Sequence, residues 1–135
     1  MHRPTLKLSL IFIGFTSLLT ASVEARNYTS KECRVFVNHN NKDLPEVVDS
    51  VTVLKNTTCL VTGDIAEFTY VYELDLSRIS IKSIPAQFRR NTINSFCSNP
   101  DTQVFFRGLT KVKNDYYDKG TGKFFGRIEI TKSDC

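Results

Sequence analysis

Apolar positions along this 135-residue chain change their spacing several times, and each change marks an element. Leu8 to Leu19 is a continuous apolar run behind a basic start (His2, Arg3, Lys7), and polar sequence follows. Cys33, Val35, Phe36 and Val37 then form a cluster that fits either a strand or a short helix, behind a polar stretch (26–32) expected to fray. Asn38 to Asp43 is polar, and Leu44 before Pro45 predicts a break. From Val47 to Val61 the pattern alternates through Val51, Val53, Thr57, Cys59 and Val61, a strand weakened at Lys55-Asn56. Gly63-Asp64 predicts a turn. Glu67 to Leu76 is the clearest strand: Phe68, Tyr70, Tyr72 and Leu74 share one face, and Thr69, Val71, Glu73 and Asp75 share the other.

The period then becomes helical. Ser83 stands where an N-cap belongs and Pro85 suits the first turn. Ile84, Phe88, Thr92 and Phe96 make one stripe with Ile93 and Cys97 alongside, while Arg89, Arg90 and Asn94 lie opposite. Ser98-Asn99-Pro100-Asp101 ends this helix and opens a shorter one running through Phe105 and Phe106 to Gly108, expected as its C-cap. Leu109 to Tyr117 alternates again, Asp118 to Gly122 is a hairpin loop, and Phe124 to Ile130 pairs back. The pattern predicts an α+β domain of two layers: an antiparallel sheet of about four strands, helices on one face, stapled by disulfides.

Residues 1–25 have the three zones of a secretory signal peptide, with Val23-Glu24-Ala25 before the cut. The apolar run is too short for a stable membrane anchor. One domain, residues 26–135, remains, and its expected location is the periplasm or the extracellular medium. All four cysteines (Cys33, Cys59, Cys97, Cys135) lie in that domain and would meet an oxidising compartment. Four cysteines allow three connectivities. The expected one pairs within each half of the chain, Cys33–Cys59 and Cys97–Cys135.

Charge narrows the partners. Taking Arg3, Lys7 and Glu24 from 18 basic and 14 acidic side chains leaves 16 and 13, a net charge near +3 with the signs interspersed. A nucleic-acid binder would concentrate its basic residues on one face, so no nucleic-acid partner is expected. No Cys-x-x-Cys redox pair and no zinc-finger spacing occur, so neither metal nor cofactor is expected. His39 is the sole histidine past the leader, and no serine or cysteine elbow marks a nucleophile for it. Asp43, Glu46 and Asp49 would share a helical face, but Pro45 interrupts the spacing. Gly120-Thr121-Gly122 lacks the third glycine and following helix of a phosphate loop. Asn27-Tyr28-Thr29 and Asn56-Thr57-Thr58 are glycosylation sequons. The nearest approach to a basic, aromatic surface is Arg89, Arg90, Arg107, Lys111 and Lys113 with Tyr116 and Tyr117; from this set Arg89, Arg90, Arg107, Tyr116 and Tyr117 are the candidate binding residues.

The second half carries a more specific series: Phe96-Cys97-Ser98-Asn99-Pro100, Phe106-Arg107-Gly108-Leu109, the Tyr116-Tyr117 strand, Gly122, Arg127-Ile128-Glu129-Ile130 and Cys135. It resembles a group of small exported bacterial proteins and, more distantly, the S-type pilotins of type II secretion systems. The resemblance covers about residues 66–135 and supports Cys97–Cys135 as a bridge. It implies a groove between helix and sheet that holds a partner's helix. Pilotins of that type are lipidated on a cysteine directly after the signal; here the first cysteine is Cys33, behind Ser30-Lys31-Glu32, which is no lipobox.

The resulting expectation is a non-enzymatic, protein-binding accessory of the envelope or secretion machinery. The alternative is an inhibitor or immunity protein directed at a lytic enzyme. A secreted hydrolase using His39 is a third, weaker class.

Overall fold

Thr29 opens the first helix, α1 (Ser30–Asn41), in the computed structural model, which describes residues 27–135. The expected leader, residues 1–25, and its cut lie outside the described residues. The Thr29 hydroxyl accepts from the Glu32 amide at 3.2 Å, and the Glu32 carboxylate accepts from the Thr29 amide at 2.8 Å. This reciprocal cap, spelled Thr-x-x-Glu, decides for helix over strand in the ambiguous segment. The polar stretch expected to fray is therefore the anchored start of α1. Tyr28 is buried, and its amide donates to the Gly108 carbonyl at 2.8 Å.

Five strands follow: β1 (Glu46–Val47), β2 (Thr52–Thr62), β3 (Ile65–Leu74), β4 (Lys111–Asp118) and β5 (Phe124–Thr131). They lie in the order β1-β2-β3-β4-β5. The expectation of about four antiparallel strands is corrected twice. The sheet has five strands, because the run from Val47 to Val61 folds back on itself: Val47 pairs with Val53, and the Asp49 carboxylate accepts from the Val51 amide at 2.9 Å to hold the turn. The sheet is also mixed, since β3 and β4 run parallel while the other neighbours are antiparallel. Residues 75–110 hold α2 (Ala86–Ser98) and α3 (Pro100–Gln103), and a connection carrying helices over one face returns the chain to the start of the strand it left. Lys55 is the extra residue of a bulge in β2, which is why the alternation falters there.

Phe68, Tyr70, Tyr72 and Leu74 face the helices, as their spacing predicts, with Leu54 and Thr57 of β2, Val112 and Tyr116 of β4, and Ile128 and Ile130 of β5. Phe36 of α1 stacks on Phe68 with ring centroids 4.7 Å apart. Phe105, in the 3-10 turn after α3, meets Phe36 at 5.5 Å, Phe68 at 6.1 Å and Phe96 at 6.0 Å, so one ring joins both helices to the sheet. Helix α2 starts two residues later than expected. Pro85 is its N-cap and contributes no side-chain hydrogen bond, so Ser83 does not cap it. The stripe on α2 is present, with Thr92 and Phe96 buried and Ile84 and Phe88 half-buried.

Both expected bridges are formed, Cys33–Cys59 and Cys97–Cys135, with Cα separations of 5.4 and 5.1 Å. Gly108 serves a closer purpose than a helix cap: a Cβ there would sit 1.9 Å from the Tyr28 ring. Gly108→Ala should therefore push Tyr28 out of its slot and cost about 1–3 kcal/mol, the usual range for an overpacked core. Chemical denaturation checks the magnitude, and faster amide exchange confined to the first turn of α1 checks the cause.

Among the described residues the opposite face of the sheet carries no helix, and it holds charges in pairs. Glu67 accepts from Lys113 at 2.9 Å and lies 3.8 Å from Lys111, which reaches Glu129 at 3.3 Å. Asp115 binds the Arg127 guanidinium through two bonds of 2.6 and 2.9 Å. The hydrogen bond from Lys113, with the nearby cations, holds the Glu67 carboxyl below its ordinary range. Lys111 and Lys113 are thus occupied and do not extend a basic patch.

Candidate functional site

Both long helices lie on one face of the sheet with Phe105 between them, and the α2 flank of this seam is the candidate site. Helix α1 is fixed to the β2 side by the Cys33–Cys59 bridge and by Asn41, whose amide side chain donates to the Thr57 carbonyl at 3.2 Å and accepts from the Thr57 amide at 2.8 Å. Helix α2 is fixed to the β5 side: Ile84 packs over Gly126, Phe88 meets Tyr116 edge-on at 6.0 Å, and Arg89 donates to the Arg127 carbonyl at 3.0 Å. Arg89 points to the β5 edge, so at about 100° per residue Asn91, Ser95 and Ser98 lie on the opposite, solvent-exposed flank of α2.

A shallow, open depression of about 500 Å³ runs along that flank, lined by Asn91, Asn94, Ser95, Ser98 and Asn99. Every lining side chain is an amide or a hydroxyl. The Asn99 side chain caps α3 by accepting from the Asp101 amide at 2.9 Å, and Ser98 donates to the Asn94 carbonyl at 2.6 Å. Beneath the seam the sheet offers tyrosines: Tyr72 stacks on Tyr116 with centroids 5.0 Å apart, and Tyr70 lies 6.5 Å from Tyr72. Burial raises the phenol pKa of Tyr70, Tyr72 and Tyr116 above the ordinary value, with the neighbouring Tyr72 adding to the effect at Tyr70, and Tyr116 and Glu46 at Tyr72.

Three polar groups in this layer are buried without a hydrogen-bond partner among the described residues: the Asn40 amide of α1, the Tyr70 hydroxyl of β3 and the Thr92 hydroxyl of α2. Asn40 sits one turn beyond Phe36, Thr92 one turn from both Phe88 and Phe96, and Tyr70 beside Thr57 and Asn114 in the sheet. Each uncompensated group costs about 1–3 kcal/mol.

The five candidate binding residues do not converge. Tyr116 is only 2 % exposed and belongs to the core, because successive residues of β4 face opposite sides of the sheet. Tyr117 is on the open face, edge-on to Phe124 at 5.5 Å. Arg89 is spent on β5, Arg90 donates to the Gln87 side chain at 2.8 Å, and Arg107 is exposed after α3. His39 is exposed on α1, whereas Asp43, Glu46 and Asp49 fall on a turn, a strand and a second turn rather than one helical face. Among the described residues no group of His, Cys, Asp and Glu has the arrangement of a metal site. The residues missed from sequence are Asn91, Ser95 and Ser98. Their signal was the stretch from Asn91 to Asn99, which is uncharged on an otherwise charged surface.

Phe88 is half-buried rather than enclosed, so Phe88→Ala should cost about 1–2 kcal/mol instead of the 3–5 typical of a fully buried phenylalanine. Arg89→Ala should stay within about 1 kcal/mol, the worth of one exposed hydrogen bond. Denaturant midpoints of the two variants test the placement of α2; a larger loss from Arg89→Ala would put the helix on the wrong face.

Two solved structures share the fold. One is a Pseudomonas aeruginosa protein described as secreted, with a TM-score of 0.64 at 16% identity over 78% of this chain and 91% of that one. The other is the pilotin of the Vibrio vulnificus type 2 secretion system, with a TM-score of 0.51 at 15% identity over 78% of this chain and 86% of that one. At these identities the likeness is one of fold. No family model matches the sequence, and a search of curated proteins found no match. The two bridges and the likeness to a protein described as secreted fit an exported protein, and among the described residues no helix is long and apolar enough to cross a membrane.

Proposed function

We propose that this protein is a non-enzymatic, exported domain that binds another protein of the cell envelope along the α1–α2 seam, as an accessory of envelope or secretion machinery. The observation that carries this reading is the flank of α2: an uncharged, exposed run of amides and hydroxyls from Asn91 to Asn99 on a surface otherwise rich in charge. The lining suits a protein segment held by hydrogen bonds better than a charged ligand, since none of it is ionisable. The fold shared with a secretion-system pilotin points the same way.

Capture from envelope extracts, with the native chain and Asn91→Ala/Ser95→Ala side by side, tests the reading. The expected result is enrichment of an envelope or secretion-machinery subunit by the native chain and its loss with the double variant. Enrichment of a lytic enzyme would favour the inhibitor class instead. Equal capture by both proteins would remove the seam from the account.

A further inference from the structure

Among the described residues, one edge of the sheet is left open over a short uncharged run. Strand β1 covers β2 only at Val53 and Leu54, and the Asn41 side chain stands in for a strand neighbour at Thr57. The Thr57 amide and carbonyl therefore point away from β3. The register between β2 and β3 is unbroken from Asn56 to Thr62, so by the two-residue alternation of an antiparallel ladder the main-chain groups of Cys59 and Val61 point outward too. No residue from Asn56 to Thr62 is charged, and Leu60 is 62 % exposed. The far edge is treated differently: Arg89 occupies the Arg127 carbonyl of β5, and Arg127 and Glu129 place charges on that strand. Natural sheets blunt their edges with charge, proline or a cover, and the β2 edge past Thr57 has neither charge nor proline.

We propose that a second copy of this chain docks on the β2 edge, strand against antiparallel strand, with Leu60 on the two-fold axis. The outward groups select the register. Cys59 exchanges both main-chain hydrogen bonds with Val61 of the second copy, Val61 does the same with its Cys59, Thr58 faces Thr62, and Leu60 faces Leu60. Centring the pair on Cys59 would set Val61 against Thr57, whose groups Asn41 already fills. Centring it on Val61 would set Cys59 against Gly63, beyond the strand. In the selected register Asn56 of one copy comes level with Asp64 of the other, so no like charges meet across the contact. The same surface is used on both copies, so the assembly closes at two. Five residues per copy make a small contact, and the association is correspondingly weak and reversible.

Sedimentation velocity of the oxidised protein from about 10 µM to about 1 mM, the range in which small interfaces exchange, tests this directly. The native chain should shift from monomer to dimer across that range. Leu60→Glu should weaken association at least tenfold while leaving the circular dichroism unchanged, because Leu60 is already exposed. Mixing Leu60→Glu with Leu60→Lys should restore a dimer. If Leu60→Glu perturbs folding, Thr58→Glu on the same edge carries the same expectation. A native chain that stays monomeric at about 1 mM, a Leu60→Glu variant that dimerises like the native chain, or growth beyond the dimer would each overturn the proposal.

Discussion

Raising the pH above about 10 should unfold this domain steeply, because four tyrosines are held protonated by the fold. Burial raises the phenol pKa of Tyr28, Tyr70, Tyr72 and Tyr116. In the unfolded chain the same phenols ionise near pH 10. The contribution is therefore fully present below pH 10 and is lost above it, as the unfolded state releases protons that the folded state keeps. Each tyrosine removes up to about 1.4 kcal/mol per pH unit in that window, and four together remove about 5. Total stabilities of small domains are about 5–15 kcal/mol, so one to two units suffice. Urea denaturation from pH 7 to 12 should give a plateau followed by a sharp decline. Tyrosinate absorbance should rise as one cooperative step with the loss of circular dichroism. A gradual rise centred near 10 in a chain that stays folded would mean that these rings are solvated.

Removing the Cys97–Cys135 bridge should be the most damaging of the covalent changes. Its cysteines are 38 positions apart, against 26 for Cys33–Cys59. In the loop-entropy description these closures contribute about 4 and about 3.5 kcal/mol. The larger difference lies in what remains. Without its bridge α1 keeps the Phe36–Phe68 stack and the double hydrogen bond from Asn41 to Thr57. Without the other bridge the chain end beyond β5 loses its tie to α2, and the Arg89–Arg127 bond is an exposed one. Cys97→Ser/Cys135→Ser should therefore lower stability by about 4 kcal/mol or more, with early loss of amide protection in β5. Cys33→Ser/Cys59→Ser should cost less. The reverse order in paired denaturation curves would contradict the assigned weight of α2 and β5.

Much of this architecture is legible in the sequence. The alternation of Phe68, Tyr70, Tyr72 and Leu74 announces a strand with one buried face, and the stripe from Ile84 to Phe96 announces a helix lying on it. Both bridges match the expected pairing within each half, one of three connectivities that the sequence alone leaves open. The direction of β4 was harder to read, because alternation is the same in parallel and antiparallel strands; only the helix-bearing segment before it distinguishes them. β1 was hidden because two residues are too few for a period. Tyr116 was misplaced for a related reason, since basic neighbours suggest a surface while the strand's alternation turns it inward. The seam was least legible of all. Asn40, Tyr70 and Thr92 are 52 positions apart from first to last, and only the packing of both helices on one face brings them into the same layer.

The central claim is that the α1–α2 seam, and not the open face of the sheet, meets a partner. Site-specific photocrosslinking in cells that produce the protein tests it most directly, with the crosslinker placed in turn at Asn91 and Ser95, on the seam flank of α2, and at Thr58 and Glu73, on the open face. The account predicts one discrete adduct with an envelope protein from Asn91 and Ser95, and none of that mass from Thr58 or Glu73. The same adduct from the open-face positions, with none from the seam, would contradict it.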